Sequence, residues 1–291
     1  MIKDFEYFAP KTVEEALSLL SQYKEEAKII AGGQSLLVLM RQGLLALEYL
    51  IDVKGISALD YINYDEGEWL RIGALTTHRA IEKSPIIQRH FKVLSEMEGN
   101  LATVQTRNWG TVGGNLCHGD PAGDPAPVFI ALKAKLKLAS LGRERIIDVE
   151  EFSRDYLEVA LEAGEMLVEI QVPTPPPHTG TAYEKLMVMK GDMGIVGAAV
   201  SITLSPGDGV CQDARIVLSN AASIPLRARE AERRLIGKVV NDDLLTKAGE
   251  VASAEADPTA DVHGSAEYRR EMVKVFVRRA ARRALERART G

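Results

Sequence analysis

Cysteine is almost missing from this chain: Cys117 and Cys211 are the only two in 291 residues. Two thiols cannot by themselves hold a four-thiolate iron–sulfur cluster or zinc ion. Five histidines (His78, His90, His118, His178 and His263) are scattered without a His-Glu-x-x-His or similar spacing, so no metal site is expected. Aromatic residues make up only 5% of the chain, and no apolar run approaches the roughly 20 residues of a membrane span. Met1 to Glu6 carry no apolar leader core, so the chain reads as cytoplasmic, with reduced thiols. Basic charge is not in excess either. A formal net charge of -5 argues against a nucleic-acid partner.

What is present suits a folded protein of about two domains: 46% hydrophobic and 26% charged residues. Thr12-Val13-Glu14-Glu15 reads as a capping box, and Val13, Ala16, Leu17 and Leu20 follow on one helical face. A β-prone run at Lys28 to Ile30, a glycine turn, a helical pattern from Leu36 to Gln42 and a strand from Tyr49 to Val53 make a small parallel β-α-β unit. Further strands are expected at Trp69 to Leu75, Lys135 to Leu138, Ile146-Ile147 and Met166 to Val172, with a helix from Ile86 to Met97. Gly110 to Pro127 reads as a long irregular loop. Pro173 to Pro177 then holds four of the chain's 12 prolines and marks a domain boundary. Beyond it come three strands (Tyr183 to Met189, Ile195 to Leu204, Val210 to Ser219) and three helices (Leu226 to Ile236, Asp242 to Ser253, Ala266 to Arg289). The last helix carries eight arginines from Arg269 onward, read as a solvated basic face beside an apolar stripe of Tyr268, Met272, Val275, Phe276 and Ala280. The fold class is therefore α+β, with domains at 1–175 (parts 1–55 and 56–175) and 178–291.

Two glycine loops carry the chemistry. Ala31-Gly32-Gly33-Gln34-Ser35 lies between a strand and a helix, where glycines turn the backbone and aim N–H groups at an anion. It is neither G-x-G-x-x-G nor a P-loop. Thr111-Val112-Gly113-Gly114-Asn115 is a second such loop, with Thr111 and Asn115 as side-chain donors and Asp124 downstream as an acceptor for a sugar or ribityl hydroxyl. Two such loops suggest a diphosphate gripped from both sides. Cys117 and His118, beside the second loop, line a pocket or supply a redox thiol.

Ala31 to Leu37, Ile72-Gly73-Ala74-Leu75-Thr76-Thr77 and Arg107 to Asn115 resemble the FAD-binding medium subunit of molybdenum hydroxylases. The likeness is greatest to the medium subunit of aerobic carbon monoxide dehydrogenase, and weaker to the xanthine dehydrogenase flavin domain. It continues through Asp120-Pro121, Tyr183-Glu184-Lys185-Leu186 and Gly191-Asp192 to Ala266-Glu267-Tyr268-Arg269, nearly the whole chain.

The resemblance implies a two-part, PCMH-type FAD domain, as in vanillyl-alcohol-oxidase and MurB-like flavoproteins, and a flavoprotein C-terminal domain of three strands and helices. It places the pyrophosphate on Ala31, Gly32, Gly33, Gln34, Ser35 and Leu36 and on Thr111, Gly113, Gly114 and Asn115, through backbone amides. Asp124 is implied further along the cofactor, with Leu167, Lys185 and Asp192 near the flavin. It implies FAD as cofactor, no metal and no substrate-transforming residue here. Partners would be a large molybdopterin subunit and a small [2Fe–2S] subunit in a dimer of heterotrimers, with this chain passing electrons to an external acceptor. The chain departs from the family at Gln34, where relatives often have His. Met187-Val188-Met189 replace basic residues, and Met193 replaces a frequent aromatic. The alternative reading is a self-contained FAD-dependent oxidoreductase acting on a small molecule.

Overall fold

The computed structural model describes residues 4–290, so the expected leaderless start at Met1 to Lys3 and the terminal Gly291 lie outside the described residues. The first unit runs β1 (Glu6–Phe8), α1 (Val13–Tyr23), β2 (Ala27–Ile30), α2 (Leu36–Arg41) and β3 (Tyr49–Asp52). The three strands are parallel in the order β1-β3-β2. The β-α-β unit is therefore present, with β1 added on the far side of β3. Thr12 caps α1 by accepting from the Glu15 amide, while the Glu15 carboxylate reaches back to the Lys11 amide.

The second unit contains β4 (Ile62–Asp65), β5 (Trp69–Gly73), α3 (His78–Lys83), α4 (Pro85–His90), α5 (Lys92–Gly99), α6 (Val104–Trp109), α7 (Val112–His118) and α8 (Pro125–Ala131). These lead into β6 (Lys135–Ser140), β7 (Arg143–Asp148), a small hairpin of β8 (Ser153–Asp155) and β9 (Glu158–Val159), and β10 (Met166–Pro173). Its antiparallel sheet has the order β4-β5-β10-β6-β7. Two expectations change here. The helix expected over Ile86 to Met97 breaks at Phe91, whose side chain is pulled into the core at 2% exposure, so α4 and α5 are separate. The expected loop from Gly110 to Pro127 holds all of α7 and the start of α8. Paired glycines disfavour a helix, yet a Cβ at Gly113 would lie 2.6 Å from the Ala74 carbonyl oxygen. Packing against that strand end admits only glycine there, and Thr111 and Gly119 cap the two ends.

The third unit contains β11 (Thr179–Leu186), β12 (Val196–Leu204), β13 (Cys211–Ser219), β14 (Leu226–Arg227), α9 (Arg229–Leu235), α10 (Asp242–Glu255) and α11 (Ala266–Thr290). The expected three-stranded sheet has a fourth strand: Leu226 and Arg227, expected to open a helix, pair with β13 as β14. Strand β11 starts four residues earlier than expected and ends at Leu186, which leaves Met187 to Met189 in a turn. One sheet face packs on α9, α10 and α11. On the other face, Ala199 and Val217 join the core of the second unit. Burial on both sides explains why β12 is apolar without alternation.

The expected face of α11 is met in part: Phe276 and Ala280 are buried and Met272 and Val275 pack half-buried on the same core. Tyr268 is exposed, and the buried stripe is Arg269, Val273, Phe276, Val277, Ala280, Ala281, Ala284, Leu285 and Ala288. Several arginines tie the helix down. Arg269 is 1% exposed and donates to the Ile195 carbonyl at 2.6 Å, while Arg287 donates to the Thr181 carbonyl at 2.7 Å and pairs with Glu96.

Candidate functional site

The chain leaves β2 at Ile30 and must turn sharply to enter α2. Gly33 makes that turn at φ +71. Gly32 has a different reason to be glycine, since a Cβ there would overlap the Trp109 carbonyl oxygen. The backbone N–H groups of Gly32, Gly33, Gln34, Ser35 and Leu36 find no acceptor among the described residues. The Gln34 side chain folds back to donate to the Gly32 carbonyl at 3.0 Å, which leaves those amides open. Successive outward-facing amides form an anion-binding concavity.

The second loop is built differently from expectation. Val112 N–H donates to the Thr76 carbonyl and Gly113 N–H to the Ala74 carbonyl, both at 3.0 Å. Gly114 N–H donates to Thr111 Oγ1 at 3.2 Å, and Asn115 N–H to the Thr111 carbonyl at 3.0 Å. Thr111 is spent as the cap of α7, and these four amides are already partnered. What the loop can offer a ligand is the exposed edge of Gly114, the Thr111 hydroxyl proton and the Asn115 carboxamide. The two loops do adjoin: a Cβ on Gly114 would sit 3.8 Å from Ala31 Cβ.

Across the seam from these loops lies Asp124, 5% exposed at the start of α8. Its Oδ1 accepts from the Tyr183 hydroxyl at 2.6 Å and its Oδ2 from Lys185 Nζ at 2.7 Å. Tyr183 and Lys185 stand two apart on β11, hence on one face of the strand. Lys185 Nζ also donates to the Asp192 carbonyl at 2.9 Å, and Asp192 Oδ2 accepts from the Met189 amide. Burial pushes the Asp124 carboxyl above its ordinary value, and the Lys185 ammonium and Tyr183 hydroxyl pull it back. Both carboxyl oxygens are thus hydrogen-bonded, as a buried polar group requires.

Thus Ala31 to Leu36, Thr111 to Asn115, Asp124, Lys185 and Asp192 collect along one seam between the units. Leu167 is apart from them in kind. Its side chain is 3% exposed within the central core, so it has no free side-chain surface for a ligand. Met193 is exposed beside Asp192.

Reading the sequence missed several residues here. Tyr183 was legible in principle from its two-residue spacing to Lys185. Trp109, which backs Gly32, and Arg107 lie in the motif that carries the resemblance, but nothing local assigns either a role. His78 and Glu98 form a buried pair at 2.9 Å (Nδ1 to Oε2) under Gly110. The redox reading of Cys117 does not hold: burial pushes its thiol up to about 12, and that of Cys211 up to about 11, so neither is a thiolate at neutral pH. No metal-holding group of His, Cys, Asp or Glu occurs among the described residues.

Comparison with known proteins gives this chain its class. Residues 3–175 match the family described as the FAD binding domain in molybdopterin dehydrogenase, and residues 181–284 match the CO dehydrogenase flavoprotein C-terminal domain. Fold and family matches define an FAD-binding flavoprotein. The carbon monoxide dehydrogenase medium chain of Afipia carboxidovorans is 37% identical over 284 residues, 98% of each chain. The 6-hydroxypseudooxynicotine dehydrogenase complex subunit alpha of Paenarthrobacter nicotinovorans is 36% identical over 98% of this chain and 96% of that one. The carbon monoxide dehydrogenase structure from Hydrogenophaga pseudoflava superposes with a TM-score of 0.95 at 37% identity, covering 99% of both chains. This chain belongs to the family of medium-chain FAD subunits of molybdenum hydroxylases.

Proposed function

We propose that this chain holds FAD as the electron-transfer subunit of a molybdenum-dependent hydroxylase. Electrons arrive from [2Fe–2S] clusters on a small subunit and leave for an external acceptor, while substrate is transformed on a large molybdopterin subunit. The observation that carries the reading is the row of open amides from Gly32 to Leu36, set against a second glycine loop and a buried Asp124–Lys185 pair. These donors suit a diphosphate.

When bound, the flavin supplies reversible two-electron chemistry with one-electron steps. The residues of this chain bind and orient it. The amides of Gly32, Gly33, Gln34, Ser35 and Leu36 would take the pyrophosphate oxygens, with the Thr111 hydroxyl, the Gly114 edge and the Asn115 carboxamide closing the other side and Gly113, its amide spent on the Ala74 carbonyl, only shaping the backbone there. Asp124, held by Tyr183 and Lys185, has lone pairs left for a hydroxyl of the cofactor. Lys185 and Asp192 border the flavin end, and Leu167 contributes packing beneath. Exposed Met193 covers the place where relatives often have an aromatic ring. The division into 1–175 and 178–291 and the assembly as a dimer of heterotrimers belong to the same proposal. The low cysteine count supports it, since the clusters then sit on another chain.

The test is an absorbance spectrum from about 300 to 600 nm of the purified chain with and without added FAD, characteristic of bound flavin. Twin flavin bands that persist through gel filtration are the expected result. Colourless protein that refuses FAD even when co-purified with large and small subunits overturns the reading. Turnover of a small substrate by the isolated chain favours a self-contained oxidoreductase instead.

A further inference from the structure

Helix α6 touches both ends of the seam. At its C-terminal end the Trp109 carbonyl and Gly110 Cα press directly against Gly32 of the open-amide loop, leaving no room for a side chain there. At its N-terminal end the chain passes through Leu101 and Ala102, and these meet the turn that carries Asp192. Leu101 forms a parallel bridge with Gly191. A Cβ on Gly191, itself at φ +95, would lie 2.8 Å from the Ala102 carbonyl oxygen.

Ala102 sits at φ +45, a left-handed conformation that an alanine does not adopt without support. The support is Arg107, 6% exposed and one helical turn along. Its Nη1 donates to the Leu101 carbonyl at 2.7 Å and to the Ala102 carbonyl at 2.9 Å. Its Nε donates to Glu82 Oε2 at 3.0 Å, and Arg79 holds both oxygens of Glu82 at 2.9 and 2.8 Å. Burial alone would raise the Glu82 carboxyl, but the hydrogen bonds from Arg79 and Arg107 outweigh it and keep it below the ordinary Glu value. Glu82 therefore remains an anion that orients the guanidinium at neutral pH. From the other side, Lys185 binds the Asp192 carbonyl and ties the same turn to Asp124.

We infer that α6 is a spacer setting the distance between the phosphate loop and the Gly191–Met193 turn, with Arg107 as the positioning residue that locks the turn onto the helix. The inference rests on the FAD reading above and goes beyond it. Arg107 does not touch the cofactor; it acts through the Leu101 and Ala102 carbonyls. A cofactor gripped at both ends is sensitive to displacement of one grip by a fraction of an ångström.

The two ends separate in a binding experiment, because ADP engages only the phosphate loop and FAD engages both. Titration calorimetry of the full chain with each nucleotide is the measurement, accompanied by the visible circular dichroism of bound flavin. In Arg107→Met, FAD affinity falls about tenfold or more, ADP affinity stays at the wild-type value and the flavin dichroism changes. Arg107→Lys recovers only part of this, since an ammonium lacks the planar fork that spans two carbonyls and a carboxylate. Gly191→Val attacks the same contact from the exposed turn and gives the same selective loss, so the question stays decidable if Arg107→Met fails to fold.

FAD affinity and dichroism unchanged in Arg107→Met overturn the inference. Parallel loss of ADP and FAD in either variant also overturns it, because Arg107 then supports the whole site and not one end. Wild-type chain that binds neither nucleotide sinks the FAD reading itself, a distinct result.

Discussion

At the level of single residues, the site divides into backbone that must stay bare and charges that must stay paired. Gly32 is the sharpest case of the first, since any side chain meets the Trp109 carbonyl. Gly32→Val is expected to displace the open-amide loop and weaken FAD binding by about tenfold or more, with far-ultraviolet circular dichroism unchanged. Fluorescence titration with FAD checks this. Lys185 is the clearest of the second. Lys185→Met leaves Asp124 buried and unpaired, an expected loss of about 3–5 kcal/mol at neutral pH, read from the midpoint of urea unfolding. The sign with pH follows from burial, which raises the Asp124 carboxyl. Its native value then lies above the unfolded one, so the stability of the protonated form is present below about pH 4 and is lost as pH rises. The deficit of Lys185→Met relative to wild type is expected to be smallest in acid and to grow towards neutrality. The sequence singled out both Asp124 and Lys185, but not their pairing. Sixty residues separate them, and no local pattern encodes a contact between a helix start and a strand of another sheet.

At the level of elements, the sequence patterns that worked were those set by local periodicity. The helical face of α1 and the strand alternation of β6 depend only on which residues meet the core two or four positions apart. The failures share a cause. Helix α7 forms through two glycines because Gly113 is clamped against Ala74, and α11 buries a broader, alanine-rich stripe than Met272, Val275, Phe276 and Ala280 mark, because small side chains let it approach β11 closely. A Cβ on Gly180 of β11 would overlap the Ala284 carbonyl oxygen of α11. Gly180→Val is expected to lift the helix from the sheet and cost about 3 kcal/mol, seen as a lower urea midpoint with little change in helix content. The arginines of α11 were read as a solvated face. Arg269 instead reaches the Ile195 carbonyl just before β12, and Arg287 the Thr181 carbonyl of β11, which the charge pattern alone cannot reveal because an arginine's partner lies outside its own helix.

At the level of the whole molecule, three sheets meet so that the first unit's turn, the second unit's α6 to α8 and the third unit's β11 share one seam. The third unit's sheet is buried on both faces, which ties it to the second unit through Ala199 and Val217 despite the intervening prolines. No helix among the described residues is long and apolar enough to cross a membrane. The sequence by itself determined the α+β class, the glycine turn between β2 and α2 and the family, because these follow from short-range periodicity, turn chemistry and motif spacing. Only the tertiary structure decided which loop keeps its amides open and which spends them. It also decided that Asp124 faces Lys185 and that α6 separates the two ends of the site. Each of these depends on what lies opposite a residue across the packed core, and that neighbour is set by the closure of the whole chain.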